Sequence, residues 1–233
     1  MEKLYRGYTL RQISSAIDHS VLKPDHTSAD VRLGAQTALK HSVASLCIRP
    51  GDVKIASEFL AGTPVELSTV IGFPHGTTTT ETKVFESIQA VRGGCLELDM
   101  VLNVGALIEG NHDLVLSDIA EVVSAAKDTN PKVILKVIFE TALLNDGQIV
   151  KACELSEAAG ADYVKTSTGF ASEGATVHHI ELMKKCVGDR LGVKASGGIR
   201  DLDSLVDMLE AGATRVGSSA TEAILADFLA KAE

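Results

Sequence analysis

The stretch DYVKTSTG, at residues 162–169, has the pattern of a short β-strand that carries one lysine and ends in hydroxylated residues and a glycine. Helical patterns lie on both sides of it, over 146–159 and 175–187. A strand between two helices is the repeating unit of a parallel α/β sheet. Because strand side chains alternate between two faces, Lys165 shares its face with Ser167.

The alternation of strand and helix continues through the whole chain. Strand patterns fall at residues 16–22, 43–48, 65–71, 96–102, 132–139, 162–169, 192–195 and 213–216. Helical patterns follow at 28–41, 53–60, 80–92, 111–127, 146–159, 175–187, 202–211 and 221–231, and a short one precedes the first strand at 9–15. Eight such units predict an α/β protein with a closed (β/α)8 fold, the TIM barrel, as one domain over residues 1–233.

A doubly wound open sheet is the alternative arrangement of alternating strands and helices. It would be expected to carry a glycine-rich fingerprint after the first strand. This chain has DHSVLKP there, at residues 18–24. The barrel is therefore favoured, and its active site is expected at the C-terminal ends of the strands.

Composition limits the classes of partner. The 233 residues are 45% hydrophobic but only 4% aromatic, and the formal net charge is −9. This charge, without a basic stripe, argues against nucleic acid or an anionic membrane as a partner. The four cysteines form no CxxC motif and the N-terminus has no apolar segment, which indicates reduced thiols in a cytoplasmic protein. The seven histidines show no metal-ligand spacing, so no metal is expected.

Two lysines on neighbouring strands are the candidates for chemistry. A buried ammonium group is costly unless it is paired, deprotonated or used, and Lys165 and Lys194 both precede a loop rich in hydroxyl groups and glycine. A neutral lysine amine forms Schiff bases with carbonyl compounds, which requires its pKa to fall from about 10.4 by roughly 3 units. Burial and the charge of Lys194 are both expected to lower the pKa of Lys165. The alternative is that either lysine is a structural ion-pair partner.

Several carboxylates accompany these lysines on other strands. Asp99 shares a strand face with Glu97, and near the top of a barrel it is placed to take or relay a proton. Lys136 on the next strand is the expected partner of Glu97, as a structural pair one layer further down. Asp18 on the first strand either hydrogen-bonds the catalytic group or fixes the strand end.

Two glycine- and serine-rich loops predict a phosphate site. Residues Ser196, Gly197 and Gly198 follow the seventh strand, and Gly217, Ser218 and Ser219 follow the eighth. Loops seven and eight, with the next helix N-terminus, are the usual phosphate cradle of this fold. An ordinary turn is the alternative for either loop alone. Cys47 ends the second strand, where it either lines the pocket or fills the core.

Six motifs in one order give the chain a family resemblance. They are IDHSVLKP (17–24), VIGFPHG (70–76), ELDMVLN (97–103), VKTSTGF (164–170), VKASGGIR (193–200) and AGATRVGSS (211–219). The chain resembles the deoxyribose-phosphate aldolases, class I aldolases of (β/α)8 fold. The resemblance implies that Lys165 forms the Schiff base, that Lys194 perturbs it, and that Asp99 is the catalytic aspartate. It also implies that Gly169, Gly197, Gly198, Gly217, Ser218 and Ser219 form the phosphate loops. Together with Asp18, Cys47 and Thr168, these residues make up the predicted substrate and phosphate site.

The resemblance also implies a reaction. It is the reversible cleavage of 2-deoxy-D-ribose 5-phosphate to D-glyceraldehyde 3-phosphate and acetaldehyde, without a cofactor, by a homodimer or higher homo-oligomer. Two positions depart from many members, since Ser20 replaces a threonine and Phe170 replaces a phosphate-holding lysine. Another Schiff-base sugar-phosphate aldolase of transaldolase type is the alternative within enzymes. A non-catalytic barrel that binds a phosphorylated ligand is the alternative outside them.

Overall fold

The computed structural model describes residues 3–233, so that of the predicted domain only residues 1–2 lie outside the described part. Eight parallel strands form a closed barrel in which each strand pairs with the next in sequence. The barrel strands are Ile17–Val21, Ser45–Ile48, Glu66–Ile71, Glu97–Val101, Ile134–Ile138, Tyr163–Lys165, Gly192–Ser196 and Arg215–Ser218. The last strand pairs with the first, with Val216 opposite Ile17. The (β/α)8 prediction is therefore confirmed, and the open sheet is excluded.

The helices cover the outside of the barrel. They are Leu10–Ser15, Ser28–His41, Val53–Leu60, Thr80–Arg92, Val104–Glu109, His112–Thr129, Asp146–Ala158, Val177–Val187, Leu202–Glu210 and Thr221–Lys231. The short helix predicted before the first strand is present, and Thr9 caps it through a reciprocal contact with Gln12. Thr27 caps Ser28–His41 in the same way with Asp30. Among the described helices none has the length and apolarity to span a bilayer.

Three features were not predicted. Val104–Glu109 is an additional helix after the fourth strand. Leu4–Tyr5 and Tyr8–Thr9 form a two-stranded antiparallel hairpin outside the barrel. The hairpin also meets the end of the chain, because the N–H of Leu4 donates to the carbonyl of Glu233 at 2.9 Å and the N–H of Glu233 donates back at 3.1 Å.

The two faces of the barrel strands differ in chemistry. On the fourth strand, Leu98 and Met100 are fully buried within the apolar cluster between strands and helices. Their neighbours Glu97 and Asp99 are also buried, but ion pairs link them to side chains from other strands across the interior. Because side chains alternate along a strand, one short sequence supplies both an apolar outer layer and a charged interior.

Candidate active site

A network of seven charged side chains occupies the barrel interior. The three carboxylates are those of Asp18, Glu97 and Asp99. The four cationic groups are those of Lys136, Lys165, Lys194 and Arg215. All seven lie on barrel strands, so the register of the sheet determines which of them meet. Lys194, for example, is opposite Lys165 on one side and opposite Arg215 on the other.

Asp99 is the centre of this network. Its Oδ2 accepts hydrogen bonds from Nζ of Lys165 at 2.7 Å and from Nζ of Lys194 at 2.6 Å, so one oxygen serves both lysines. Its Oδ1 accepts from Nζ of Lys136 at 2.9 Å. Burial raises the pKa of Asp99, but the three ammonium groups outweigh it and hold that pKa well below the usual value. Asp99 is therefore a permanently ionised carboxylate at neutral pH.

The lower part of the network differs from the sequence prediction in two ways. Nζ of Lys136 lies 2.6 Å from Glu97, as expected, but the same group also binds Asp99. The pair is therefore continuous with the upper site, because a lysine reaches across one layer of the interior. Arg215, which the sequence analysis did not single out, contacts Asp18 and also Glu97, the latter at 2.8 Å.

Asp18 joins the first strand to the lysines. Its carboxylate lies 2.5 Å from Nζ of Lys194 and accepts a hydrogen bond from the hydroxyl of Ser45 at 2.7 Å. Of the two roles considered for Asp18, the geometry favours contact with the site, because Lys194 is held between Asp18 and Asp99. The ammonium of Lys194 thus has two carboxylate partners, whereas that of Lys165 has one.

The pKa shifts of the cations separate Lys165 from the others. Burial lowers the pKa of Lys165, the charge of Lys194 lowers it further, and Asp99 opposes both. For Lys194 and Lys136, burial is outweighed by the carboxylates and the pKa is raised. If all seven groups are ionised, the interior has one positive charge in excess. Loss of the proton from Lys165 removes that excess.

A cavity of about 300 Å³ opens above this network. Lys165 and Lys194 both line it, whereas Asp99 and Lys136 are fully buried behind them. Every residue predicted for the substrate and phosphate site also lines it, namely Asp18, Cys47, Thr168, Gly169, Gly197, Gly198, Gly217, Ser218 and Ser219. The residues that the sequence analysis predicted for this site therefore lie together in the fold. Asp99 does not line the cavity, but it is hydrogen-bonded to Lys165 and Lys194, which do.

The glycine- and serine-rich loops offer backbone donors to the cavity. No acceptor among residues 3–233 takes the N–H groups of Gly197, Gly198 or Ser219. The hydroxyl of Ser218 instead donates to the carbonyl of Ile199 at 2.7 Å and accepts from the N–H of Ala220 at 3.0 Å. The helix Thr221–Lys231 begins directly after this loop without a side-chain cap. Free N–H groups at a helix start favour an anion.

The remaining lining residues set the charge and shape of the cavity. Lys23 and Arg200 add cationic side chains, and the one acidic lining residue, Asp18, is already ion-paired. Phe170 packs edge-on against Phe73, with ring centroids 5.4 Å apart. An anionic ligand therefore meets a locally positive cavity in a protein of negative net charge.

Two further cavity features concern a thiol and a loop contact. Cys47 lines the cavity, and burial, with Asp99 next in effect, raises the pKa of its thiol. The loop after the sixth strand is fixed to the loop after the seventh, because the N–H of Ala175 donates to the carbonyls of Ser196 and Gly197 at 3.0 and 3.1 Å. The sequence analysis did not predict this contact, because no sequence pattern indicates that the backbones of Gly174 and Gly197 lie close together.

A (β/α)8 barrel with a buried lysine of lowered pKa at its cavity fits the class of enzymes that work through a lysine amine. The family model described as DeoC/LacD family aldolase matches residues 13–226. The deoxyribose-phosphate aldolases of Bacillus mycoides (strain KBAB4) and Bacillus cytotoxicus are each 54% identical over 213 residues, covering 91% of this chain and 94% of the relative. The chain belongs to the DeoC/LacD family of aldolases.

Solved structures agree with this assignment. A putative deoxyribose-phosphate aldolase from Coccidioides immitis superposes with a TM-score of 0.90 at 41% identity, covering 94% of this chain and 87% of that one. The deoxyribose phosphate aldolase of Aeropyrum pernix, described as having a unique tetrameric structure, gives 0.88 at 31% identity, covering 95% and 92%. Similarity therefore extends over the barrel and not only over the six motifs.

Proposed function

We propose that this protein is a deoxyribose-phosphate aldolase that reversibly cleaves 2-deoxy-D-ribose 5-phosphate to D-glyceraldehyde 3-phosphate and acetaldehyde. The observation that carries the proposal is Lys165, which faces the cavity and whose pKa burial and Lys194 lower. Only the neutral amine attacks a carbonyl, so of the two buried lysines that line the cavity, Lys165 and Lys194, Lys165 is the nucleophile. The names of the relatives supply the substrate.

The proposed reaction passes through an imine. The amine of Lys165 attacks the aldehyde carbon of the open-chain sugar, and loss of water gives a protonated imine. A proton leaves the C3 hydroxyl as the C2–C3 bond breaks, and the bonding electrons move onto the imine to give an enamine. Glyceraldehyde 3-phosphate departs, the enamine takes a proton at C2, and hydrolysis releases acetaldehyde and Lys165.

The other charged groups divide the supporting roles. Lys194 faces the cavity and its raised pKa keeps it protonated, so we assign its ammonium group to orienting an ordered water that transfers protons at the reacting atoms. We assign Asp99 to holding the two ammonium groups, because its low pKa and its place behind them favour that role over taking a proton itself. The free N–H groups of Gly197, Gly198 and Ser219 receive the phosphate and so align the reacting carbons.

Reductive trapping tests the proposal. Incubation with acetaldehyde and borohydride should add one ethyl group to the protein, and peptide mapping by mass spectrometry should place it on Lys165. Label on Lys136 or Lys23 with Lys165 unmodified would refute the assignment. Dihydroxyacetone under the same conditions is the control, because trapping of that ketone in preference to acetaldehyde indicates the transaldolase type of aldolase instead.

We also propose that the enzyme is a homo-oligomer in the cytoplasm. The Aeropyrum pernix relative is tetrameric by its description, and the proposed substrate is a phosphorylated metabolite. Light scattering on the purified protein should therefore give a mass at least twice the 24.5 kDa of the chain. A monomeric mass at micromolar concentration would contradict the oligomer, and recovery in a membrane fraction would contradict the location.

A further inference from the structure

Glu140 lies directly after the fifth strand in an unusual backbone conformation. Its φ is 57°, in the left-handed region that residues with a Cβ rarely adopt. The backbone on either side is fixed to the sixth strand, since the N–H of Phe139 donates to the carbonyl of Lys165 and that of Thr141 to the carbonyl of Thr166, both at 3.0 Å. The left-handed turn between these two bonds directs the Glu140 side chain towards the loop after Lys165.

The buried carboxylate of Glu140 contacts Thr168 three times. The N–H of Thr168 lies 3.3 Å from each carboxylate oxygen, and the hydroxyl of Thr168 donates to Oε2. None of these contacts is an ion pair, and Glu140 does not line the cavity. Among the described residues, the side-chain carboxylate of Glu140 therefore bonds to Thr168 alone. Glu140 also keeps its unfavourable φ in the folded protein.

Thr168 transmits this contact to the cavity wall. Its hydroxyl also accepts the N–H of Phe170 at 3.1 Å, which closes a tight turn around Gly169. All three residues line the cavity. Glu140 thus holds the start of the loop whose other end is bound to the seventh-strand loop at Ala175.

We propose that Glu140 is a positioning residue for substrate phosphate: acting through Thr168, it fixes the loop 168–170 at the cavity. The inference rests on the proposed function for the identity of the phosphorylated substrate. It adds a residue from the segment after the fifth strand to a phosphate site otherwise built from the ends of the sixth, seventh and eighth strands and the loops that follow them. Because the role is geometric, losing the carboxylate should weaken phosphate binding and leave the chemistry at Lys165 largely intact.

Two substitutions separate positioning from folding. Glu140→Ala removes the carboxylate and keeps the unfavourable backbone, whereas Glu140→Gly removes it and suits a positive φ. Both should raise KM for 2-deoxyribose 5-phosphate by about 10-fold or more, with kcat changed much less. KM for unphosphorylated 2-deoxyribose should stay nearly constant. Glu140→Gly should also keep the melting temperature of the wild type, so that unfolding does not account for the change.

Thr168→Val is the matched variant, because it removes the hydroxyl that Glu140 holds. The effects of Glu140→Gly and Thr168→Val on KM should be less than additive in the double variant. Unchanged KM for the phosphorylated sugar in Glu140→Gly, or equal losses on both sugars, would overturn the inference.

Hydrogen exchange tests the same contact without relying on turnover. If the wild type does not cleave 2-deoxyribose 5-phosphate, the proposed function fails, and the contact is judged from the exchange rate of the Thr168 amide alone. Faster exchange at Thr168 in Glu140→Gly, with Lys165 and Lys194 amides unaffected, supports positioning by Glu140. An unchanged exchange rate at Thr168 contradicts it.

Discussion

At the scale of single residues, Lys165 and Lys194 have the same side chain and opposite electrostatics. Lys194 contacts two buried carboxylates, and its pKa is raised. Lys165 contacts one, shares that oxygen with Lys194, and its pKa is lowered. The difference arises from one additional aspartate, Asp18, on the first strand. The two neighbouring lysines therefore have pKa values shifted in opposite directions, which suits the different roles proposed for them.

Replacing Lys194 should shift the pH dependence of the reaction. The charge of Lys194 lowers the pKa of Lys165, so in Lys194→Leu that pKa should rise towards about 10.4. A lysine amine with a pKa of 10.4 is neutral in only about one molecule in a thousand at pH 7.5, but burial should keep part of the shift, so activity should fall roughly 100-fold. Steady-state rates between pH 6 and 10 should show the limb that reports Lys165 moving upward, with partial recovery near pH 9 to 10.

The matched variant is Lys194→Arg, which keeps the charge but replaces a point charge with a planar fork. It should lose activity without moving the limb. A profile of unchanged shape in Lys194→Leu would show that the charge of Lys194 does not contribute to the lowered pKa of Lys165, which would leave burial as its cause.

The residues that sequence reasoning found are those that strand alternation determines. Lys165, Lys194 and Asp99 each lie in a short apolar strand, where a charge stands out against its neighbours. Arg215 and Glu140 lie at the start of one strand and just after another, where charged residues are common. The role of Arg215 depends on how far its long side chain reaches, and that of Glu140 depends on a left-handed φ. Neither feature can be inferred from the sequence without knowing the three-dimensional structure.

At the scale of elements, the cavity wall depends on one close backbone approach. A Cβ built on Gly174 would lie 2.0 Å from the carbonyl oxygen of Gly197. Backbone atoms cannot rotate away as a flexible side chain can, so the two loops fit together only if residue 174 has no side chain. The loops after the sixth and seventh strands therefore behave as one unit around the substrate cavity.

Gly174→Ala should separate these loops and weaken phosphate binding. Displacement of a binding loop by about 1 Å commonly costs up to 100-fold, so KM for the phosphorylated sugar should rise at least 10-fold. The control is Gly51→Ala, where nothing lies within 4 Å of an added Cβ and kinetics should be unchanged. If Gly174→Ala binds the phosphorylated sugar as the wild type does, the loops are not coupled through this contact.

Most elements were predictable because their patterns are long. Thr80–Arg92 and Val53–Leu60 have the predicted bounds, since apolar periodicity and flanking turn residues agree there. Val104–Glu109 was missed because six residues are too few for a periodic pattern. Its end signals were present all the same, since Asn103 caps its start and Gly110 ends it with a φ of 84°. Each strand of the hairpin has two residues, which is too few for an alternating pattern to be recognised.

At the scale of the whole molecule, a buried histidine links stability to pH. Burial lowers the pKa of His19 to about 4; a weaker effect of His41 also lowers it, and Glu222 opposes both. The unfolded chain, with a pKa near 6.5, therefore binds a proton that the folded protein excludes between these values. The contribution of His19 is complete above pH 6.5 and falls by about 3 kcal/mol as the pH drops to 4.

Denaturant unfolding at several pH values measures this contribution. His19→Asn should keep the contact that the Nδ1 of His19 makes with the hydroxyl of Thr221, 2.8 Å away, but it cannot titrate. The free energy of unfolding of this variant should change less than that of the wild type between pH 6.5 and 4. Equal pH dependence in both proteins would assign the loss of stability to other groups.

The single excess positive charge inside the barrel bears on the reorganisation energy of the catalytic cycle. In the proposed reaction, the protonated imine on Lys165 carries the same charge as the ammonium it replaces, and the enamine carries the same charge as the free amine. The interior therefore alternates between two charge states that it already adopts without substrate. Its counter-charges are fixed by ion pairs between strands. Few dipoles need to reorient when the carbon–carbon bond breaks, because the charges that stabilise each state are already in place in the folded protein.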